Sequence, residues 1–256
     1  MKKGKRFRRQ HGVSFIEIAM IVVIASLVVG SVITYKNFRK AATLRSVITD
    51  ITRYKSAIND FREKYFAWPG DMTLAFSYWG AECGGPGSTT IGECNGDGNG
   101  QISWSAIEGI KAWQHLSLAG LVPQQYDGTC RSSNWANCNG ILKFSIPESQ
   151  VASAGFYIDN PGTLTDNRNV IGIAMEGKFG ATGVAVFVPK DAYSIDLKID
   201  DSIANKGGAQ ALPVQLGPSQ VCSKVPAGAV GTDPAAFYSI TRPGTECQMF
   251  FMIGGL

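Results

Sequence analysis

The chain has 256 residues, of which 24 are basic and 20 acidic, giving a formal net charge of +4. Six basic residues lie in its first nine positions, so the remainder carries 18 basic and 20 acidic side chains, a net charge of −2. The net positive charge therefore comes from the N-terminal segment. The charge of the remaining chain does not indicate a nucleic-acid partner, although it does not exclude one. The six are Lys2, Lys3, Lys5, Arg6, Arg8 and Arg9.

An apolar run follows the basic segment at once. Residues 13–35 would form a helix about 35 Å long, which is enough to cross a bilayer. Glu17 is the only Asp, Glu, Lys or Arg in this run. A carboxylate within a membrane helix costs on the order of 2.5–3.5 kcal/mol at the bilayer centre, so it usually marks a function. The simpler alternative is a signal anchor whose Glu17 lies at the membrane interface without a role.

Cleavage after Gly12 would give Glu17 a natural partner. The cut would release an α-amine on Val13, and Val13 and Glu17 are four residues apart on one helix face, about 6 Å along the axis. The amine and the carboxylate could pair within one chain or between neighbouring chains stacked with a small axial offset.

The stretch Gly12–Glu17 reads Gly-Val-Ser-Phe-Ile-Glu and lies between the basic leader and the apolar run. It resembles the class III signal of type IV pilins and type II secretion pseudopilins, although most members have Phe where this chain has Val13. The resemblance implies cleavage after Gly12 and N-methylation of Val13 by a prepilin peptidase of the inner membrane. It also implies that Glu17 docks neighbouring pilin or pseudopilin subunits during filament assembly.

The helix is expected to continue beyond the apolar run. Apolar side chains recur at three- and four-residue steps up to Tyr65, and helix is disfavoured before Pro69. The alternative is two helices with a break near residues 35–36. We predict an α+β fold of the pilin type, in which a long N-terminal helix packs on a small antiparallel-sheet head. The predicted regions are a leader (1–12), a transmembrane helix (13–35), its amphipathic continuation (36–67) and a periplasmic or extracellular head (68–256).

All six cysteines lie beyond the apolar run, which favours disulfides in an oxidising compartment. Six cysteines allow about 15 complete pairings. We favour sequential neighbours, each of which would close a loop rich in Gly or Pro. The pair Cys222–Cys247 resembles the C-terminal disulfide loop of many pilins. The favoured pairs are Cys83–Cys94, Cys130–Cys138 and Cys222–Cys247.

A glycine-rich segment offers candidate ligands for calcium. Oxygen side chains at loop positions 1, 3 and 5, followed by Gly at 6 and Ile at 8, resemble the EF-hand loop. Position 12, normally a bidentate Glu, is Ala106, so a site here would be weak. The alternative is a loop of Asx turns that binds no metal. The candidate ligands are Asn95, Asp97, Asn99 and Gln101.

Further elements are expected in the head. A capping box from Ser105 to Glu108 predicts a helix over 106–118. Short strands are predicted over 141–146, 155–158, 170–175 and 183–188. A short helix over 191–201 would place Asp196 and Asp200 on one face, with Asp191 near its N-terminus.

Enzyme chemistry has little support in the sequence. The two histidines are His11, in the leader, and His115, and no hydrolase, phosphate-loop or zinc-protease motif occurs. We therefore predict a non-enzymatic subunit of a type IV pilus or type II secretion pseudopilus, and its length favours a minor subunit. The alternatives are a filament-tip or membrane-anchored module that binds a surface, DNA or secreted cargo, and an anchored protein that never polymerises. The expected location is the inner membrane, single-pass, with the head in the periplasm, and then the filament.

Overall fold

The computed structural model describes residues 14–83, 94–104, 107–129, 140–177, 179, 184–213, 222–224, 235–244 and 247–254. The predicted fold is confirmed as an α+β arrangement with a long N-terminal helix and a small antiparallel sheet. The chain divides into two units between Thr43 and Leu44, a point that lies within the first helix.

Helix α1 spans Phe15–Tyr65 as one uninterrupted element of 51 residues. Between residues 15 and 35 the apolar side chains that the structure describes are exposed, and by length and composition this part could cross a membrane. Three hydroxyl groups within that part donate hydrogen bonds to carbonyls of the preceding turn, so these donors have acceptors within the helix itself. The bonds run from Ser26 to Val23, from Ser31 to Val28 and from Thr34 to Gly30, at 2.7–3.0 Å.

In the second unit, α1 buries one face. The stripe predicted from three- and four-residue spacing is the face that enters the core, and it contributes Val47, Ile51, Tyr54, Ile58 and Phe61. The helix ends at Tyr65, and Phe66 follows in the left-handed region with φ 54°. The amide of Phe66 still bonds to the carbonyl of Arg62 at 2.9 Å, which closes the last turn.

Four antiparallel strands form the main sheet, in the order β1-β2-β6-β3. Strand β1 is Ala154–Asp159, β2 is Val170–Met175, β3 is Ala209–Pro213 and β6 is Cys247–Met252. Strands β1 and β2 are neighbours in sequence, whereas β6 inserts between β2 and β3. A second, two-stranded sheet pairs β4 (Ser223–Lys224) with β5 (Phe237–Tyr238).

The described residues form three further helices. Helix α2 is Ala75–Trp79, α3 is Glu108–Leu118 and α4 is Pro189–Ile199. Helix α3 lies so close to β1 that a β-carbon added at Gly109 would meet the carbonyl oxygen of Ile158. Short 3₁₀ turns cover Gly80–Glu82 and Gly162–Thr165.

Both edges of the main sheet are occupied by other segments of the chain. On the β1 side, Phe156 donates to the carbonyl of Pro147 at 2.9 Å and Ser149 donates to Ala154 at 2.8 Å. On the β3 side, Ala211 donates to the carbonyl of Ala204 at 2.7 Å. Covered edges present fewer free amides and carbonyls for pairing with another chain.

Two of the predicted strands are wrong. Residues 141–146 form a tight turn in which Ile146 donates to Ile141 at 3.2 Å and Lys143 has a left-handed φ of 70°. The amide of Ile141 is taken by the Ser145 hydroxyl at 2.8 Å, so a side chain replaces a neighbouring strand. Among the described residues of the predicted strand 183–188, only Phe187 forms a β-bridge, and its partner is Cys247.

The predicted capping box also requires correction. Helix α3 begins at Glu108, two residues later than expected, and its N-cap residue, Ile107, has a left-handed φ of 68°. The Glu108 side chain accepts hydrogen bonds from the amides of Ser103 and Asp97. Glu108 therefore fastens the preceding loop to the first turn of the helix. Ser105 and Ala106 lie outside the described residues.

Candidate functional site

Glu17 lies in the first turn of α1, where its carboxylate accepts the amide of Ser14 at 3.2 Å. The first amides of a helix have no intrahelical acceptor, and a negative charge there complements the helix dipole. Within a single chain, Glu17 thus completes the N-terminus of the apolar helix. Gly12 and Val13, the predicted cleavage and methylation residues, lie outside the described residues.

Two of the favoured cysteine pairs are joined in the structure. Cys83 bonds to Cys94 with their α-carbons 5.4 Å apart, and Cys222 bonds to Cys247 with their α-carbons 4.9 Å apart. The second bond connects the residue immediately before β4 to the first residue of β6, and therefore links the two sheets. Cys130 and Cys138 lie outside the described residues.

The candidate calcium loop folds around the carboxylate of Asp71. One oxygen of Asp71 accepts the amides of Gly98 and Asn99 at 2.7 and 3.1 Å, and the other accepts Gly100 at 2.9 Å. Burial raises the pKa of Asp71, while these amide bonds oppose the rise. The turn at Pro69-Gly70-Asp71, just beyond α1, thereby fixes the curvature of a loop almost thirty residues away in sequence.

Two of the four predicted calcium ligands, Asp97 and Asn99, bond within the loop, whereas Asn95 bonds to a residue outside it. The Asn95 side chain accepts the amide of Phe76 at 2.9 Å, and that of Asn99 accepts the amide of Gln101 at 2.7 Å. Asp97 is exposed and accepts both the backbone and the side-chain amide of Asn99. The loop is thus built from Asx turns, in which side-chain oxygens satisfy amides two residues further on.

Three carboxylates nevertheless come together beside this loop. Asp71, Asp97 and Glu108 each offer an oxygen, and these oxygens lie within 4.8 Å of one another. Asp71 and Glu108 are buried, and burial raises the pKa of both side chains. Neither residue belongs to the predicted ligand set, because Asp71 is distant in sequence and Glu108 was assigned to a helix cap. Carboxylate oxygens at such separations suit a hard cation such as calcium.

His115 is fully buried beneath this loop. Its Nδ1 accepts the amide of Gly70 at 2.9 Å, so Nε2 carries the proton and donates to the carbonyl of Cys94, also at 2.9 Å. Burial lowers the pKa of His115 to about 4. A neutral imidazole with both nitrogens engaged serves here as a structural link between the Pro-Gly turn and the Cys83–Cys94 disulfide.

A second carboxylate group lies at the C-terminal end of α4. Asp196 is buried and accepts the Tyr238 hydroxyl at 2.7 Å and the amide of Ser202 at 3.3 Å. Burial raises the pKa of Asp196 to about 6. Asp200 accepts the amides of Gly208 and Ala209. The predicted acidic pair therefore ties α4 to β5 and to the segment before β3.

Comparison with known proteins adds no assignment. The chain matches no family model, no curated protein and no solved structure.

Proposed function

We propose that this chain is a pilin-like subunit of a type IV pilus or type II secretion pseudopilus. The observation that carries the proposal is the division of α1 into two parts of different character. Its first part is an apolar helix with Glu17 in the opening turn, and its last part buries one face in an α+β unit. One helix thus combines a segment suited to a membrane or a helical bundle with one that belongs to a folded head.

The proposed mechanism follows from the placement of charge. Before assembly, the apolar part of α1 is stored in the inner membrane, with the basic leader in the cytoplasm and the head in the periplasm. A prepilin peptidase then cuts after Gly12 and methylates Val13. During assembly the helix leaves the membrane and joins a bundle, in which Glu17 of one chain pairs with the Val13 amine of its neighbour. We assign the chain to a minor position in the filament because of its length.

The docking role of Glu17 is tested by Glu17→Ala. An amine buried without its partner costs about 3–5 kcal/mol. We therefore expect the amount of this subunit in sheared filaments to fall at least tenfold, while its amount in the membrane stays constant. Glu63→Ala is the matched control, because Glu63 is an exposed glutamate near the other end of the same helix. Equal incorporation of the Glu17→Ala variant and the wild type would refute the docking role.

Calcium binding at the 95–101 loop is a second proposal, supported by the approach of Asp71, Asp97 and Glu108. The purified full chain is titrated with calcium while the change in intrinsic fluorescence is followed. We expect saturation with a Kd of about 10⁻⁴–10⁻³ M. Asp97→Ala should weaken binding at least tenfold, whereas Asp60→Ala, which changes an exposed carboxylate on α1, should not. An unchanged spectrum throughout this range would leave the loop as a metal-free turn.

A membrane-anchored or filament-tip binding module is the second candidate function. It is favoured by exposed aromatic side chains just beyond α1, where Phe66 is 92% and Tyr78 59% exposed. An anchored module that never polymerises would be absent from sheared filaments in the wild type as well as in Glu17→Ala.

A further inference from the structure

A groove of about 790 Å³ in the second unit has properties of a ligand site that the proposed function does not use. Its walls come from α1, from the turn before β2 and from the segment between α4 and β3. The volume lies within the range of small-molecule sites. Its charged and amide side chains are Lys55, Asn59, Asp166, Arg168 and Asp200.

Lys55 is the unusual group in this groove. It is half-buried, and burial lowers the pKa of its ammonium group, with the charge of Asp200 opposing that effect. Within the part of the chain that the structure describes, Lys55 forms no hydrogen bond or ion pair. A lysine that loses solvent usually gains an anionic partner, because a desolvated ammonium group is costly.

Arg168 presents a second cation to the same groove. Its Nε donates to the carbonyl of Thr165 at 3.3 Å, and one terminal nitrogen lies 3.5 Å from Asp166. Both contacts are long for charge-assisted hydrogen bonds. A guanidinium group has five N–H donors, so these two contacts leave Arg168 able to bind an additional oxyanion.

The acidic side chains restrict which anion fits. Asp200 is fixed by its bonds to the amides of Gly208 and Ala209, and Asp166 lies beside Arg168. The groove therefore carries two cations and two carboxylates. The two carboxylates would repel a compact dianion such as phosphate. A monoanion with hydroxyl groups would instead place its charge on the cations and donate its hydroxyls to the carboxylates and to Asn59.

We propose that this groove binds a polyhydroxylated monocarboxylate of the hexuronic acid class. Lys55 and Arg168 hold the carboxylate, while Asp200, Asp166 and Asn59 accept hydrogen bonds from the sugar hydroxyls. All residues of this site belong to the second unit.

The test is a calorimetric titration of the full chain in detergent with D-galacturonate. D-galactose, which lacks the carboxylate, and inorganic phosphate, which lacks the hydroxyls, are the comparison ligands. We expect saturable galacturonate binding that is at least tenfold tighter than binding of either comparison ligand. Lys55→Met, which keeps most of the side-chain stem, should weaken galacturonate binding at least tenfold, because it removes a charge-assisted contact.

Two additional variants make the outcome decisive. Arg168→Gln should cause a loss of similar size, and it carries the test if circular dichroism shows that Lys55→Met does not fold. Lys190→Met, an exposed lysine on α4 outside the groove, should bind galacturonate like the wild type. The proposal is overturned if the wild type shows no saturable galacturonate binding, if phosphate binds as tightly, or if a folded Lys55→Met or Arg168→Gln variant retains wild-type affinity. Filament incorporation of the same variants reports separately on the pilin proposal.

Discussion

His115 joins two distant turns through the two nitrogens of one imidazole ring. Gly70, just beyond the end of α1, donates to Nδ1, and Cys94, at the start of the glycine-rich loop, accepts from Nε2. The ring also lies between aromatic neighbours, with centroids 6.1 Å from Phe61 and 5.3 Å from Trp79. This arrangement makes the histidine part of the core and gives it a measurable effect on stability.

We expect His115→Phe to lower the free energy of unfolding by about 2–6 kcal/mol at pH 7. Phenylalanine fills a similar volume but leaves the amide of Gly70 and the carbonyl of Cys94 without their partner, at about 1–3 kcal/mol for each group. Urea unfolding of both proteins, with the disulfides intact, measures the difference. Equal stability of the two proteins would contradict the structural role.

The same comparison predicts a pH dependence. The pKa of His115 is lowered from 6.5 in the unfolded chain to about 4 in the folded chain. The unfolded state therefore binds the extra proton first, so the contribution of His115 is fully present above pH 6.5 and is lost as the pH falls through 4. The stability advantage of the wild type over His115→Phe should shrink by about 3 kcal/mol across this window. The difference between the two proteins isolates His115 from Asp196, whose raised pKa acts in the opposite direction.

In the 95–101 loop, hydrogen bonds between close neighbours in sequence could be predicted, whereas bonds to a distant residue could not. The Asx turns of Asp97 and Asn99 follow from alternation with glycine, and the structure contains them. The carboxylate of Asp71 has no such local signal, because the amides that it accepts lie 27–29 residues away. Asp71 could be identified only once the fold had brought the turn after α1 to the loop.

At the scale of elements, the contact between α3 and β1 depends on the absence of one side chain. A β-carbon at Gly109 would meet the backbone carbonyl of Ile158 and the ring of Trp104. The backbone of a strand cannot move aside without disturbing its pairing with β2, so the helix would have to shift away from the sheet. Gly109 therefore sets the distance between the two layers.

We expect Gly109→Ala to destabilise the protein by about 1–3 kcal/mol, the usual cost of overpacking a core. Helix propensity alone predicts the opposite sign, since alanine is about 1 kcal/mol more favourable than glycine within a helix. Thermal unfolding distinguishes the two effects, and Gly109→Ser should lower the transition temperature further because its side chain is larger. A higher transition temperature for Gly109→Ala would show that the layers are not in close contact.

Periodicity predicted the buried face of α1, whereas strands β3 and β6 were not predicted from the sequence. The stripe of α1 was readable because only one side of that helix is buried in the second unit. Strand β6 is buried on both faces and lies in the middle of the sheet, so it shows no alternation of polar and apolar residues. Strand β3 reads Ala-Gln-Ala-Leu-Pro, a sequence of low strand propensity, and it is held in place by pairing with β6.

At the scale of the whole molecule, processing of the N-terminus distinguishes a pilin-like subunit from a simple signal anchor. An apolar helix with an acidic residue in its first turn also suits a simple signal anchor, whereas processing after Gly12 is specific to the pilin proposal. The disulfides Cys83–Cys94 and Cys222–Cys247 are typical of an oxidising compartment, but they favour neither alternative. Whether the mature chain begins at Val13 therefore decides between a signal anchor and a pilin-like subunit.

The most direct test is the intact mass and N-terminal sequence of the protein extracted from the membrane of the cells that naturally make it. We expect a chain that begins at Val13 and carries one additional methyl group on its α-amine. A chain that begins at Met1, or one cut beyond the apolar run at residue 35, would contradict the pilin proposal and leave an anchored or secreted binding protein.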